Sequence, residues 1–194
     1  MPLITADSLM TLEAYAKARK EFRAKVIAHK KNRTIHLGKH MTLLFEDELT
    51  MRYQLQEMLR IERIFEMDAI QDELDAYNPL VPDGHNWKAT MLLEYEDVEL
   101  RKQMLAKLIG IEDRAWVRVI GFDRVYAIAD EDLERERNDK TSSVHFLRFD
   151  FTTEMIVALK QGADVAMGID HSAYEIEIME IDPVVRQLLV ADLV

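Results

Sequence analysis

The spacing of apolar and polar positions along the chain predicts an alternation of helices and strands. Residues 8–31 read as a helix: Leu12, Tyr15, Phe22 and Val26 recur near helical spacing with Lys and Arg between them, and Asp7 and Thr11 are candidate N-caps. RTIHLGKHMTLLFED predicts a hairpin, with strands over 34–37 and 40–46 and Gly38-Lys39 as a two-residue type II′ turn. The stretch 47–75 lacks Gly and Pro and predicts one long helix. It runs into YNPLVPDGHNW, where Pro79, Pro82 and Gly84 mark a linker or sharp turn. Trp87, Ala89, Met91, Leu93 and Tyr95 alternate as a half-buried strand does. A helix over 98–109 stops at Gly110, strands at 115–120 and 124–129 flank Gly121, and a charged connection covers 130–142. Then come the strand SVHFLRFDF, a helix capped by Thr152 or Thr153 and stopped by Gly162, strands at 164–169 and 174–181, and a helix opening on Pro183.

The second half of this order repeats itself. Strand, helix, Gly110, strand, Gly121-Phe122-Asp123 and a strand with Tyr126 come first; strand, helix, Gly162, strand, Gly168-Ile169-Asp170 and a strand with Tyr174 follow. The expected fold class is α+β: N-terminal helices with a β-hairpin over residues 1–80, then a tandem strand–helix–strand–strand repeat over 86–194, together one compact unit. The doubled module looks like that of gyrase-inhibitor-like effector-binding domains. This likeness of topology implies a groove between the halves that can hold a small-molecule ligand.

Composition narrows the classes of function. The chain has 194 residues, no Cys and a formal net charge of −11. Without Cys there is no disulfide, no thiol catalysis and no thiolate-held zinc or iron–sulfur centre. No apolar run approaches the ~18 residues of a spanning helix. MPLITADSLM lacks the basic and apolar regions of a signal peptide, so the chain reads as cytoplasmic, with no membrane partner. The net charge hides an asymmetry. From Lys17 to Lys39 nine Lys and Arg meet one acid, Glu21, so that stretch carries +8 and the remainder −19. Such a split predicts an electrostatic interface with an acidic partner, drawing on Arg19, Arg23, Lys30, Lys31 and Arg33. Sparse aromatics in the basic stretch and the negative total argue against nucleic acid.

On the long helix a step of ~100° per residue gathers Arg52, Gln56, Arg60 and Arg63 into one quadrant, a second candidate docking face. Thr50, Gln54, Glu57 and Ile61 share another sector beside Ile64 and Phe65. A carboxylate among apolar neighbours has a raised pKa or a partner, so Glu57 is the favoured functional carboxylate; the structural alternative pairs it with an Arg such as Arg33. His145 shares a strand face with Leu147, Phe149 and Phe151, and His171 falls at a hairpin tip. Gln54, Glu57, His145 and His171 form the candidate polar site. His36 and His40 straddle the hairpin turn and point to opposite faces in the expected register. Asp130, Glu131 and Asp132 are of the type that meets a hard cation but lack calcium-loop spacing and read as a solvated connection. Phosphate-loop, dinucleotide, nucleophile-elbow, zinc-protease and di-iron Glu-x-x-His motifs are absent, so metal and cofactor stay unassigned.

The segments IAHKKNRTIHLG (27–38), LLFEDELTMRYQLQEMLRIERI (43–64), ELDAYNPLVPDG (73–84), WKATMLLEY (87–95) and KTSSVHFLRFDFT (140–152) resemble an uncharacterised bacterial family, the domain-of-unknown-function family numbered 3501. The resemblance spans essentially the whole chain and carries no catalytic residues. It implies a context: family members resemble companions of rubrerythrin-like and iron–sulfur oxidoreductase proteins in bacterial gene clusters. The expected function is a non-catalytic ligand-binding or partner protein in a redox or oxidative-stress system, docking such an acidic protein. Two readings stand beside it: a metal-dependent enzyme using Glu57 with histidines around iron, manganese or zinc, and a nucleic-acid-binding regulator.

Overall fold

A computed structural model describes residues 3–131 and 139–194. Helix α1 (Leu12–Lys31) is capped by Thr11, whose Oγ1 accepts from the Ala14 N–H at 3.2 Å. It buries only Tyr15 and Val26, so most of its circumference faces outward. Strands β1 (Thr34–His36) and β2 (Met41–Glu46) form the expected hairpin. Leu37 N–H donates to Met41 C=O at 2.9 Å, which leaves a three-residue loop, Gly38 to His40, with Gly38 at φ 77°. The extra loop residue frees His40 to stack on Tyr95 at 4.3 Å, while His36 bonds Thr42.

The expected single helix over 47–75 is two. Helix α2 (Glu48–Glu62) opens on Asp47, whose carboxylate accepts from Thr50 N–H. It ends at Arg63, which adopts φ 56°, and Ile64 N–H closes the turn on Leu59 C=O at 2.9 Å. Helix α3 (Met67–Tyr77) follows. The break has a packing cause. It sets Ile64 and Ile70 against a small apolar cluster of Ile4, Met51, Leu55, Leu59 and Leu74. That burial outweighs the roughly 1 kcal/mol cost of a left-handed Arg.

The chain continues through β3 (Asn86–Leu93), α4 (Val98–Lys107), β4 (Ala115–Val119), β5 (Val125–Tyr126), β6 (Ile128–Ala129), β7 (Val144–Asp150), α5 (Thr153–Lys160), β8 (Val165–His171), β9 (Tyr174–Ile178) and α6 (Pro183–Ala191). Among the described residues these strands build two antiparallel sheets, ordered β1-β2-β3-β7-β6 and β5-β4-β8-β9, an α+β fold. The strand–helix–strand–strand order does occur twice. Each copy sends its first strand to one sheet and its last two to the other, and the copies meet along the β3–β7 and β4–β8 ladders. Gly110 and Gly162 follow α4 and α5 with φ 79° and 105°. The two Gly-x-Asp motifs are not equivalent: Gly121 turns at φ 101°, whereas Gly168 lies inside β8.

One apolar core draws on both sheets and on α5 and α6. It joins Leu43 and Phe45 of β2 to Trp87, Phe149, Val117, Met167 and Leu189, so residues 1–80 and 86–194 share it. Trp87 Nε1–H donates to Leu189 C=O at 2.8 Å and ties α6 to the first sheet. No helix among the described residues is long and apolar enough to cross a membrane.

Candidate functional site

Glu57 projects from α2 toward α1, where three donors hold it. Arg19 donates from Nε at 2.7 Å and Nη2 at 2.8 Å, Tyr15 from its hydroxyl at 2.7 Å, and Arg60 from Nη2 at 3.1 Å. The Arg19 guanidinium brings the Glu57 carboxyl down to about 2 against the opposing effect of burial, with Tyr15 and Arg60 adding to it. Burial, and after it the bond to Glu57, push the Tyr15 phenol well above its ordinary range. Glu57 is therefore a permanently ionised clamp between two helices, not a proton carrier near neutral pH, and its partners are Arg19 and Arg60 instead of Arg33. A carboxyl depressed by folding adds stability above its ordinary range, near pH 4.3, and loses it as pH falls toward 2. Glu57→Gln is expected to cost about 1–2 kcal/mol at pH 7 and to flatten that acid slope, as read from urea midpoints between pH 2 and 7.

The other candidate residues do not join Glu57. Gln54 lies beside Tyr77, whose phenol is pushed above its ordinary range by burial. Gln56, expected on an outer face, is fully buried and bonds the Met10 backbone through both ends of its amide. His171 donates from Nε2 to Ile109 C=O and accepts Ala173 N–H at Nδ1, each at 3.1 Å, which fixes one neutral tautomer. His145 is fully buried on β7. Its Nδ1 lies 2.6 Å from Asp130, and its Nε2 lies 2.9 Å from Thr141 Oγ1, 3.1 Å from Ser142 C=O and 3.8 Å from Glu112. Burial opposes charge on this ring, yet Asp130 and Glu112 outweigh it and raise its pKa. Glu112, Asp130 and His145 offer ligand atoms within 4.8 Å of one another, the one such group among the described residues. Its contacts already suit a protonated imidazole braced by two carboxylates. Asp130 also accepts from Phe146 N–H, and Glu131 pairs with Arg148. The expected loop of Asp130, Glu131 and Asp132 is thus divided between structural bonds, with Asp132 outside the described residues.

The eight candidate docking cations divide sharply. Arg19 and Arg60 are committed to Glu57. Arg52 bonds Glu48 at 2.6 Å and Ser8 C=O at 2.7 Å. Arg33 is buried with Asp192 and Asp47. Arg63 ends α2. Arg23, Lys30 and Lys31 have no ion pair among the described residues, and neither does Lys20. Counting ~100° per residue, Ala16, Lys20, Arg23, Ala24, Ile27 and Lys31 fall on one arc of α1, all exposed. This stripe has an apolar floor, with Ile27 53% exposed, and a cationic rim. Sequence reading passed over Asn86, Lys88 and Arg148. The signal was there, since strand alternation puts them on the face opposite Trp87, Leu147 and Phe149, but their meeting depends on the β3–β7 register.

Fold and site together define a class: a two-sheet α+β protein with an internal duplication and a basic helix face that has no ion pair among the described residues. The chain belongs to the family described as "Protein of unknown function (DUF3501)", whose family model matches residues 3–193. It is similar to a crystal structure described as a novel protein of unknown function from Burkholderia pseudomallei K96243, with 56% sequence identity, full coverage of both chains and a TM-score of 0.95. No curated protein matches.

Proposed function

We propose that the chain is a non-catalytic partner protein that docks an acidic protein surface on α1. The observation that carries this reading is the outward stripe of Lys20, Arg23 and Lys31 over Ala16, Ala24 and Ile27, without an ion pair among the described residues in a chain that is otherwise strongly acidic. Cations that the fold needs are buried or bonded, so this remainder has no internal role to explain it. A cationic rim steers an acidic partner, and the small apolar floor lets the surfaces close and exclude water. The rubrerythrin-like and iron–sulfur oxidoreductase proteins implied by the family resemblance are the first partners to test. With no Cys, the chain brings no thiol or Cys-held cluster to such a system.

The test titrates those purified partners with the full chain at about 50 and 300 mM salt, a range over which surface charges become screened. Affinity is expected to fall about tenfold with salt. A Lys20→Glu, Arg23→Glu, Lys31→Glu variant is expected to lose at least as much while its melting temperature stays within about 2 °C of the parent. Binding that ignores both salt and the triple reversal would count against docking through α1.

A further inference from the structure

Lys88 on β3 and Arg148 on β7 stand directly opposite each other, on the face of the first sheet that points away from the Trp87–Phe149 core. Like charges in that register repel. Arg148 finds relief: Glu131 accepts from its Nε and Nη2 at 2.8 Å each, and Asp150 accepts from Nη1. Lys88 does not. This half-buried ammonium makes no hydrogen bond or ion pair among the described residues. Glu46, its register neighbour on β2, is engaged elsewhere, with Oε1 accepting from Thr90 at 2.6 Å and Oε2 buried without a partner. Burial and the nearby Arg148 lower the Lys88 pKa by more than the surrounding acids, Glu131, Asp83 and Asp150, raise it.

Asn86 lies two residues before Lys88 on the same face and is 3% exposed. Its Oδ1 accepts from Asp83 N–H at 3.4 Å, which fixes the orientation of the amide and turns its NH2 group away. That NH2 group donates to no acceptor among the described residues. Asn86 and Lys88 both line a cavity of about 480 Å³, whose floor is the ladder joining the two copies of the repeat. Pro79, Leu80 and Phe146 supply apolar walls, while the exposed Asp75 and Asp83 add negative charge. The size suits a small-molecule site.

We infer that this cavity binds a small organic monocarboxylate, whose carboxylate accepts from Lys88 Nζ and Asn86 Nδ2 and whose apolar body lies against Pro79, Leu80 and Phe146. Two residues that line the cavity carry donors without acceptors among the described residues, and such donors suit an anion. One ammonium without a contact ion pair among the described residues matches one negative charge, and Asp75, Asp83 and Glu131, which also line the cavity, repel ions of higher charge. The apolar walls separate a carbon-bearing acid from a bare inorganic anion.

The experiment titrates the full chain by calorimetry with 4-methylpentanoate and phenylacetate, and with phosphate, citrate and benzylamine in parallel. Saturable one-to-one binding of the two monocarboxylates is expected, with Kd below about 1 mM. Lys88→Met is expected to weaken it at least about tenfold by removing the counter-charge. Leu80→Trp fills the cavity and is expected to weaken it similarly while leaving Lys88 in place; both variants are checked for an unchanged melting temperature. No saturation by about 10 mM would overturn the site. So would equal or tighter binding of phosphate, citrate or benzylamine, or parental affinity in Lys88→Met. The triple reversal on α1 is expected to bind these acids like the parent, so this site and the docking face stand or fall separately.

Discussion

Arg33→Met is expected to cost about 3–5 kcal/mol of stability, because it strands two buried carboxylates. Arg33 is 2% exposed, Asp192 7% and Asp47 8%. The guanidinium donates to Phe45 C=O at 3.0 Å and Glu46 C=O at 3.3 Å, pairs with Asp192, and lies 3.5 Å from Asp47. Asp47 in turn caps α2 and contacts His29 at 2.5 Å. One side chain thus joins the end of β2, the start of α2 and the residue that follows α6. Burial raises the Asp192 pKa, and Arg33 offsets part of that rise. Without Arg33 the carboxyl moves further up. An acid whose folded pKa is raised costs stability above that pKa, and the cost fades as pH falls below the ordinary carboxyl range, near pH 4. The gap between parent and variant is therefore expected to be widest at pH 7 and to narrow toward pH 4, as read from urea midpoints. This outcome also separates two kinds of cation in the basic stretch: Arg33 holds the fold, whereas Lys20, Arg23 and Lys31 can be reversed without loss of stability.

That division marks how far the sequence reaches. Nine cations from Lys17 to Lys39 were visible as a run, yet the one that matters most to folding finds its partner 159 residues away. Local periodicity located α1, the β3 and β7 strands and the doubled module, because each depends on residues a few positions apart. It missed the break at Arg63, since nothing in the composition there forbids helix; the gain comes from packing the half-buried Ile64 and Ile70 against the cluster that contains Leu59 and Ile4. It left Glu57 between a functional carboxylate and one paired with an Arg, because a carboxylate facing another helix is as readily a clamp as a catalyst; the structure supplies the pair through Arg19 instead of Arg33. Lys88 and Asn86 were unremarkable in sequence because their meaning is negative: among the described residues the Lys88 ammonium and the Asn86 NH2 group have no acceptor, and only the assembled β3–β7 ladder with the Asn78–Leu80 turn reveals it.

Gly168→Ala is expected to cost about 3 kcal/mol, although this glycine has ordinary strand geometry. A Cβ at this position would stand 2.4 Å from Ile176 C=O and 2.5 Å from Trp116 Cζ2. The carbonyl belongs to β9, which pairs with β8 on one side of Gly168, and Trp116 of β4 is its register partner on the other. The indole cannot swing aside cheaply. It is 1% exposed, and the Arg124 guanidinium lies 4.0 Å above its ring, held by Asp170 and Glu177 at 3.4 Å each. Moving the ring would break the cation–π contact and the two ion pairs that keep Arg124 over it. Trp116→Leu in the Gly168→Ala background removes the indole clash but not the carbonyl clash. The double variant is therefore expected to be more stable than the sum of the single losses by about 1 kcal/mol. Urea midpoints of the four proteins measure that coupling, with Trp87 retained as the fluorescent reporter. Strict additivity would assign the whole cost of Gly168→Ala to the Ile176 carbonyl and the rigidity of the β8–β9 ladder.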